Sequence, residues 1–129
     1  MIGIIGGSGL YEMKGLVVRE TKKISTPFGD PSDGYVIGDL DGKRIVFLPR
    51  HGSRHTIQPH RINYRANIWG FKELGIERLV SVGATGGIHA AMNPGTIVVL
   101  DQIIDMTQGR NTTFYDREDA VVHIDLTDP

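Results

Sequence analysis

The stretch RIVFLPRHGSRHTIQPHR, residues 44–61, changes character sharply at Pro49. Residues 44–48, RIVFL, form a short apolar run of the kind that makes a buried strand. The next thirteen residues hold three arginines (Arg50, Arg54, Arg61) and three histidines (His51, His55, His60). Yet Lys plus Arg total 14 against 15 Asp plus Glu, a net charge of −1. Positive charge gathered at one strand end in an otherwise balanced chain points to a local anionic ligand. It does not point to a nucleic-acid surface, which needs a basic excess.

The same pattern, an apolar strand followed by a glycine-rich or polar loop, occurs twice more. IGII (2–5) precedes GGSGL (6–10), and RLVSV (78–82), read as another buried strand, precedes GATGGI (83–88). In open α/β sheets, ligands bind beyond the carboxyl ends of the strands. Parallel neighbouring strands would bring the three loops to one place. Backbone N–H groups, a serine hydroxyl, a guanidinium and imidazoles gathered there suit an oxyanion, most simply phosphate. Each loop alone has a plainer reading as a turn or connection. GGSGL lacks the G-x-G-x-x-G dinucleotide fingerprint, and no Gly-Lys-Ser/Thr of a phosphate-binding P-loop occurs.

Elsewhere, LVVRETKKI (16–24) is strand-like and TPFGDPSDG (26–34) has loop composition. YVIGDL and RIVFL flank Asp41-Gly42-Lys43, a hairpin with Asp-Gly at the turn. Residues 62–74 make a helix: Ile62, Ala66 and Trp69 share a face, Ile68 and Phe71 widen it, and Gly75 stops it. Asn93-Pro94-Gly95 turns the chain into TIVVL (96–100), read as a further buried strand. The expected fold is α/β, with a mixed twisted sheet and few helices.

Composition narrows the function. At 129 residues the chain is long enough for one core, and 40% apolar with 22% charged residues is ordinary for a globular protein. The absence of cysteine excludes disulfides, thiolate chemistry and Cys-based metal sites. No apolar run approaches a membrane span, and the start lacks a signal-peptide n-region, so the cytoplasm is the expected compartment. His51, His55 and His60 are possible metal ligands. Gly52 and Pro59 argue for a loop, however, and no suitable carboxylate is near, so no metal is expected. Arg50 lies beside the strand end and is the best phosphate ligand; Arg54 and Arg61 read as solvated.

The motifs IIGGSGLY, TPFGDPSD, RHGSRHTIQPHRINYRANIWGFKELG, GATGGIHAAMNPGTIVVLDQIID and GRNTTFYD, in this order, closely resemble the methylthioadenosine phosphorylase branch of the purine nucleoside phosphorylase family. The resemblance implies a pentosyltransferase of purine salvage. Phosphate attacks C1′ of a purine nucleoside, giving free purine and a ribose 1-phosphate. It implies phosphate ligands at Ser8, Arg50, His51, Gly83 and Ala84. Ser8 stands where the family often has threonine, and Gly83 where many members carry a hydroxyl. It also implies nucleoside contacts at His55, Gly86 and His123, the last reaching the 5′ end of a nucleoside in a neighbouring subunit. A homotrimer, or a dimer of trimers, follows. No cofactor is implied, because inorganic phosphate is a co-substrate.

Residues 1–129 would form the N-terminal half of one such domain. The N7-facing catalytic group and most of the base pocket would lie in a half not present here, so activity is expected of a longer parent or of two associated chains. Alone, these residues would leave apolar strand edges exposed. GGIHAAM leans toward relatives acting on 6-oxopurines, including methylthioinosine. Two other classes stay open: a noncatalytic phosphate or nucleoside-binding module, and a dinucleotide-dependent oxidoreductase.

Overall fold

The computed structural model describes residues 1–116 and 121–127. The chain divides into two compact units, Met1–Gly83 and Ala84–Pro129. In the first, five strands form one sheet: β1 (Ile2–Gly6), β2 (Val17–Lys22), β3 (Tyr35–Leu40), β4 (Lys43–Pro49) and β5 (Arg78–Ser81). Their order is β2-β3-β4-β1-β5. β1 pairs parallel with both β4 and β5, whereas β2, β3 and β4 are joined antiparallel. The mixed sheet matches the sequence expectation.

Local chemistry accounts for the connections. β3 and β4 meet at the Leu40–Lys43 pair, which leaves a two-residue turn. Asp41 (φ 48°) and Gly42 (φ 75°) both take left-handed backbone, as the type I′ turn favoured by strand twist demands. Helix α1 (Tyr64–Glu73) starts at Asn63, whose Oδ1 accepts the Ala66 N–H at 3.1 Å. It ends at Gly75 (φ 70°). The Gly75 N–H bonds the Lys72 carbonyl, and the Ile76 N–H bonds the Phe71 carbonyl at 3.0 Å. This is a Schellman closure, with Ile76 and Phe71 as its apolar pair.

The core lies between α1 and one sheet face: Ile5, Ile37, Val46 and Leu48 from strands, Tyr35 and Phe71 in an edge-to-face pair at 5.0 Å. β4 sits mid-sheet, and Ile45 to Pro49 are all buried, so both of its faces are covered. The Tyr35 hydroxyl donates to the carbonyls of Asn67 (2.9 Å) and Ala66 (3.3 Å). Burial pushes its pKa far above the ordinary phenol range, so it stays a donor. Ile68, counted above on the buried face, is instead 38% exposed. It falls between the turns that carry Ala66 and Phe71 toward the sheet.

Two sequence expectations fail on exposure. β5 forms over RLVS, but it is an edge strand with one neighbour and is mostly exposed, not buried. TIVVL makes no strand: residues 96–100 lie in the second unit, where no helix or strand occurs among the described residues. Ile97 is 92% and Val99 90% exposed. A strand exists by its ladder, and no described residue supplies one for this run. That unit is organised by local turns, such as Asn93–Thr96 (N–H to carbonyl, 3.0 Å), where Gly95 takes φ 88°.

Gly70 allows the Tyr35 ring onto the helix, because an added Cβ would lie inside the Tyr35 hydroxyl. Glycine to alanine in a helix interior ordinarily stabilises by about 1 kcal/mol. Here overpacking reverses the sign, and Gly70→Ala should destabilise by roughly 1–3 kcal/mol in denaturant unfolding. A variant as stable as the parent would show that the ring does not seat on the helix.

Candidate functional site

The three parallel strands β4, β1 and β5 end side by side. Gly6 pairs with Pro49, and Ile5 with both Leu48 and Ser81. The ladders run one residue further on each side: Arg50 N–H to the Gly6 carbonyl, and Val82 N–H to the Ile5 carbonyl, each 2.9 Å. The loops after these strands therefore start from one sheet edge, as the sequence pattern predicts.

Arg50 joins them. Its backbone continues the β4–β1 ladder, while its Nη1 donates to the Val82 carbonyl (3.2 Å). The guanidinium thus spans from β4 across β1 to the exit of β5. Its Nη2 lies 3.6 Å from where a side chain on Gly7 would begin. One of the five guanidinium N–H groups is thereby engaged, which fixes the plane of the rest. Gly7 is extended (φ −84°, ψ −170°), and exposed Ser8 opens the short 3-10 turn Ser8–Leu10. Gly83 follows directly on Val82 and is exposed.

The loop carrying the histidines is a knot of turns. Gly52 N–H bonds the Pro49 carbonyl (3.0 Å), His55 N–H the Gly52 carbonyl (2.9 Å), and Ile57 N–H the His51 carbonyl (3.0 Å). Gly52 takes φ 75° and His55 φ 53°, the latter an uncommon conformation for a residue with a side chain. His51 Nδ1 lies 2.8 Å from the Ile57 carbonyl. A carbonyl only accepts, so Nδ1 carries a proton and Nε2 is the ring atom left for a ligand. The His51 and His55 rings stand 4.9 Å apart, and the Tyr11 hydroxyl is 3.4 Å from His55 Nδ1. Arg54, His60 and Arg61 are exposed. Among the described residues, no three His, Asp or Glu side chains come together to hold a metal ion.

Two residues join this picture that the sequence did not single out. Tyr11 packs against His55 from the loop after β1. Asp33, in a segment read only as loop, accepts the Ser53 N–H at 2.6 Å and the Gly34 N–H at 2.7 Å. Partial burial opposes its ionisation, but the bonds from Ser53 and Gly34 outweigh burial and hold the carboxyl below the usual carboxylate range. The first unit thus assembles Ser8, Arg50, His51, His55 and Gly83 around the strand ends. Ala84, Gly86 and His123 belong to the second unit, where each is exposed and outside regular structure.

The family profile described as "Phosphorylase superfamily" matches residues 1–129. The chain belongs to the phosphorylase superfamily. An S-methyl-5'-thioadenosine phosphorylase of Thermofilum pendens is 53% identical over 99% of this chain and 48% of its own length. A probable S-methyl-5'-thioinosine phosphorylase of Thermodesulfovibrio yellowstonii is 54% identical, again over 99% of this chain and 48% of its own. The solved methylthioadenosine phosphorylase from Schistosoma mansoni in complex with adenine superposes with a TM-score of 0.89. It is 39% identical over 98% of this chain and 47% of that one. The chain therefore spans about half the length of the curated relatives it matches. Membership sets aside the dinucleotide-dependent alternative.

The lowered pKa of Asp33 has a testable sign. Its contribution to stability is fully present above the unfolded carboxyl value, about 3.9. It is lost as pH falls below that value through the lower folded one. Asp33→Asn should remove this part of the acid sensitivity. Unfolding free energies of parent and variant should therefore converge below about pH 4. Curves that stay parallel from neutral to acid pH would mean the carboxylate is not held by these bonds.

Proposed function

We propose that this chain supplies the phosphate-holding part of a purine nucleoside phosphorylase acting on 5'-methylthioadenosine, 5'-methylthioinosine or a 5'-hydroxy purine nucleoside. The observation that carries the reading is Arg50, tied to Gly6 and Val82 at the ends of three parallel strands. The family and the names of the relatives support it.

In this reading Arg50 presents its fork to two phosphate oxygens. Ser8 adds its hydroxyl and N–H, His51 an Nε2–H when its ring carries both protons, and Gly83 and Ala84 their backbone. A phosphate oxygen forms a bond to C1′ while the C1′–N9 bond breaks, and the bonding pair leaves with the purine, which takes a proton at N7 or departs as the anion. The sugar passes through an oxocarbenium-like state, so holding the dianion in place accounts for much of the rate. His55 and Gly86 border sugar and base. No metal or organic cofactor is required. The enzyme would work in the cytoplasm in purine salvage.

Arg50→Lys replaces a planar fork with a point charge. In the protein as its gene encodes it, the apparent phosphate affinity should fall by about tenfold or more, equivalent to at least about 1.4 kcal/mol. The nucleoside constant should change little. Unchanged phosphate kinetics would remove Arg50 from the site, and phosphate binding without turnover in the parent would favour a noncatalytic binding module.

The reading includes a cyclic trimer in which His123 completes a neighbour's site. An active site shared across an interface ties catalysis to assembly. Subunits carrying His123→Ala, mixed and exchanged with subunits carrying Arg50→Ala, should regain activity, since some sites receive both intact residues. Mixed oligomers that form without any recovery would exclude the shared site.

A further inference from the structure

We propose that Asp33 is a positioning residue: by accepting the Ser53 N–H it fixes the 51–55 loop, so that His51 meets phosphate in one geometry beside the sheet-held Arg50. The inference rests on the phosphorolytic reading and adds a residue to that same site.

The loop's own bonds do not locate it. Those between Gly52 and Pro49, His55 and Gly52, and Ile57 and His51 run within residues 49–57. Arg50 is held by the sheet, but the knot beyond it could pivot about Arg50 without breaking them. Asp33 Oδ2 reaches in from another segment and holds Ser53 at 2.6 Å. Its other oxygen accepts Gly34 N–H, so the carboxylate is locked at both ends.

The anchor is itself rigid. Ser32, the residue before Asp33, gives its N–H to Asn67 Oδ1 (2.8 Å), and its hydroxyl oxygen accepts from Asn67 Nδ2 (2.9 Å). Asn67 is fully buried on α1. Asn63, the cap of the same helix, donates to the Phe28 carbonyl at 2.7 Å. Residues 28–33 are thus pinned to the helix that packs on the sheet. Gly52 closes the assembly: a Cβ there would sit 3.4 Å from the Ser32 carbonyl oxygen. The path from core to loop runs α1, Asn67, Ser32, Asp33, Ser53. Asp33 acts through the loop and not on the anion, since a carboxylate beside phosphate would repel it. An aspartate fits because it offers two acceptor oxygens on a short stem, and bonds to an ionised acceptor are stronger than neutral ones.

The test compares Asp33→Ala and Asp33→Asn with the parent in the protein as its gene encodes it. KM for phosphate and for nucleoside are measured separately, and the fold is checked by circular dichroism. Small displacements of a positioned group cost up to about a hundredfold in rate. Asp33→Ala should raise the phosphate KM about tenfold or more, leave the nucleoside KM within about twofold, and speed hydrogen exchange at the Ser53 amide. Asp33→Asn keeps one acceptor oxygen and should fall between, which also serves if Asp33→Ala does not fold. A folded variant with unchanged phosphate KM, or one in which both constants rise together, would overturn the positioning role. A parent without phosphate-dependent cleavage would sink the phosphorolytic reading and this inference with it. A cleaving parent with an indifferent Asp33 would sink this inference alone.

Discussion

Arg50 follows β4 in a position that is over-determined. Its backbone is the last rung between β4 and β1, and its side chain is bonded to the carbonyl that follows β5. A guanidinium on a free loop would cost rotamer entropy each time it met a ligand. Here part of that cost is met when the sheet forms. The requirement then passes down to the sheet: β4, β1 and β5 must run parallel and end together, and they do within one residue, Pro49 opposite Gly6 and Ser81 opposite Ile5. Glycine at position 6 leaves room for the Leu10 side chain at the end of the middle strand, and a Cβ on Gly7 would lie 3.6 Å from Arg50 Nη2.

A second support comes from the other side of the loop. The core packs α1 on the sheet through Phe71 and Tyr35, and Gly70 lets the tyrosine hydroxyl reach helix carbonyls. The polar side chains of the same helix, Asn63 and Asn67, face the 26–34 segment and hold it. One helix therefore closes the core with its apolar residues, while the amides of Asn63 and Asn67 hold the 26–34 segment. Asn67 can be fully buried because both ends of its amide are bonded.

Much of this was legible in the sequence. Short apolar runs marked β1, β3 and β4, Asp-Gly marked the hairpin, and the charge jump at Pro49 marked Arg50. These signals are local, and local chemistry decides them. Signals that depend on a distant partner were not legible. Asp33 looked like loop because Ser53 lies twenty residues away. RLVS was right as a strand and wrong as buried, since hydropathy does not reveal which strand takes the edge. TIVVL has strand composition but no ladder partner among the described residues, and composition cannot supply one. Ile68 sat one position off the buried stripe. The roles of Ala84, Gly86 and His123 come from family resemblance, and the second unit offers no regular element to support them.

The central claim is that the ends of β4, β1 and β5 hold phosphate against Arg50. It is tested most directly by a crystal structure of the protein, as its gene encodes it, grown with arsenate as a phosphate substitute that scatters anomalously. The account predicts an arsenic peak within hydrogen-bond reach of the Arg50 guanidinium and the Ser8 N–H. An arsenate bound elsewhere, with Arg50 still engaged only by Val82, would contradict it.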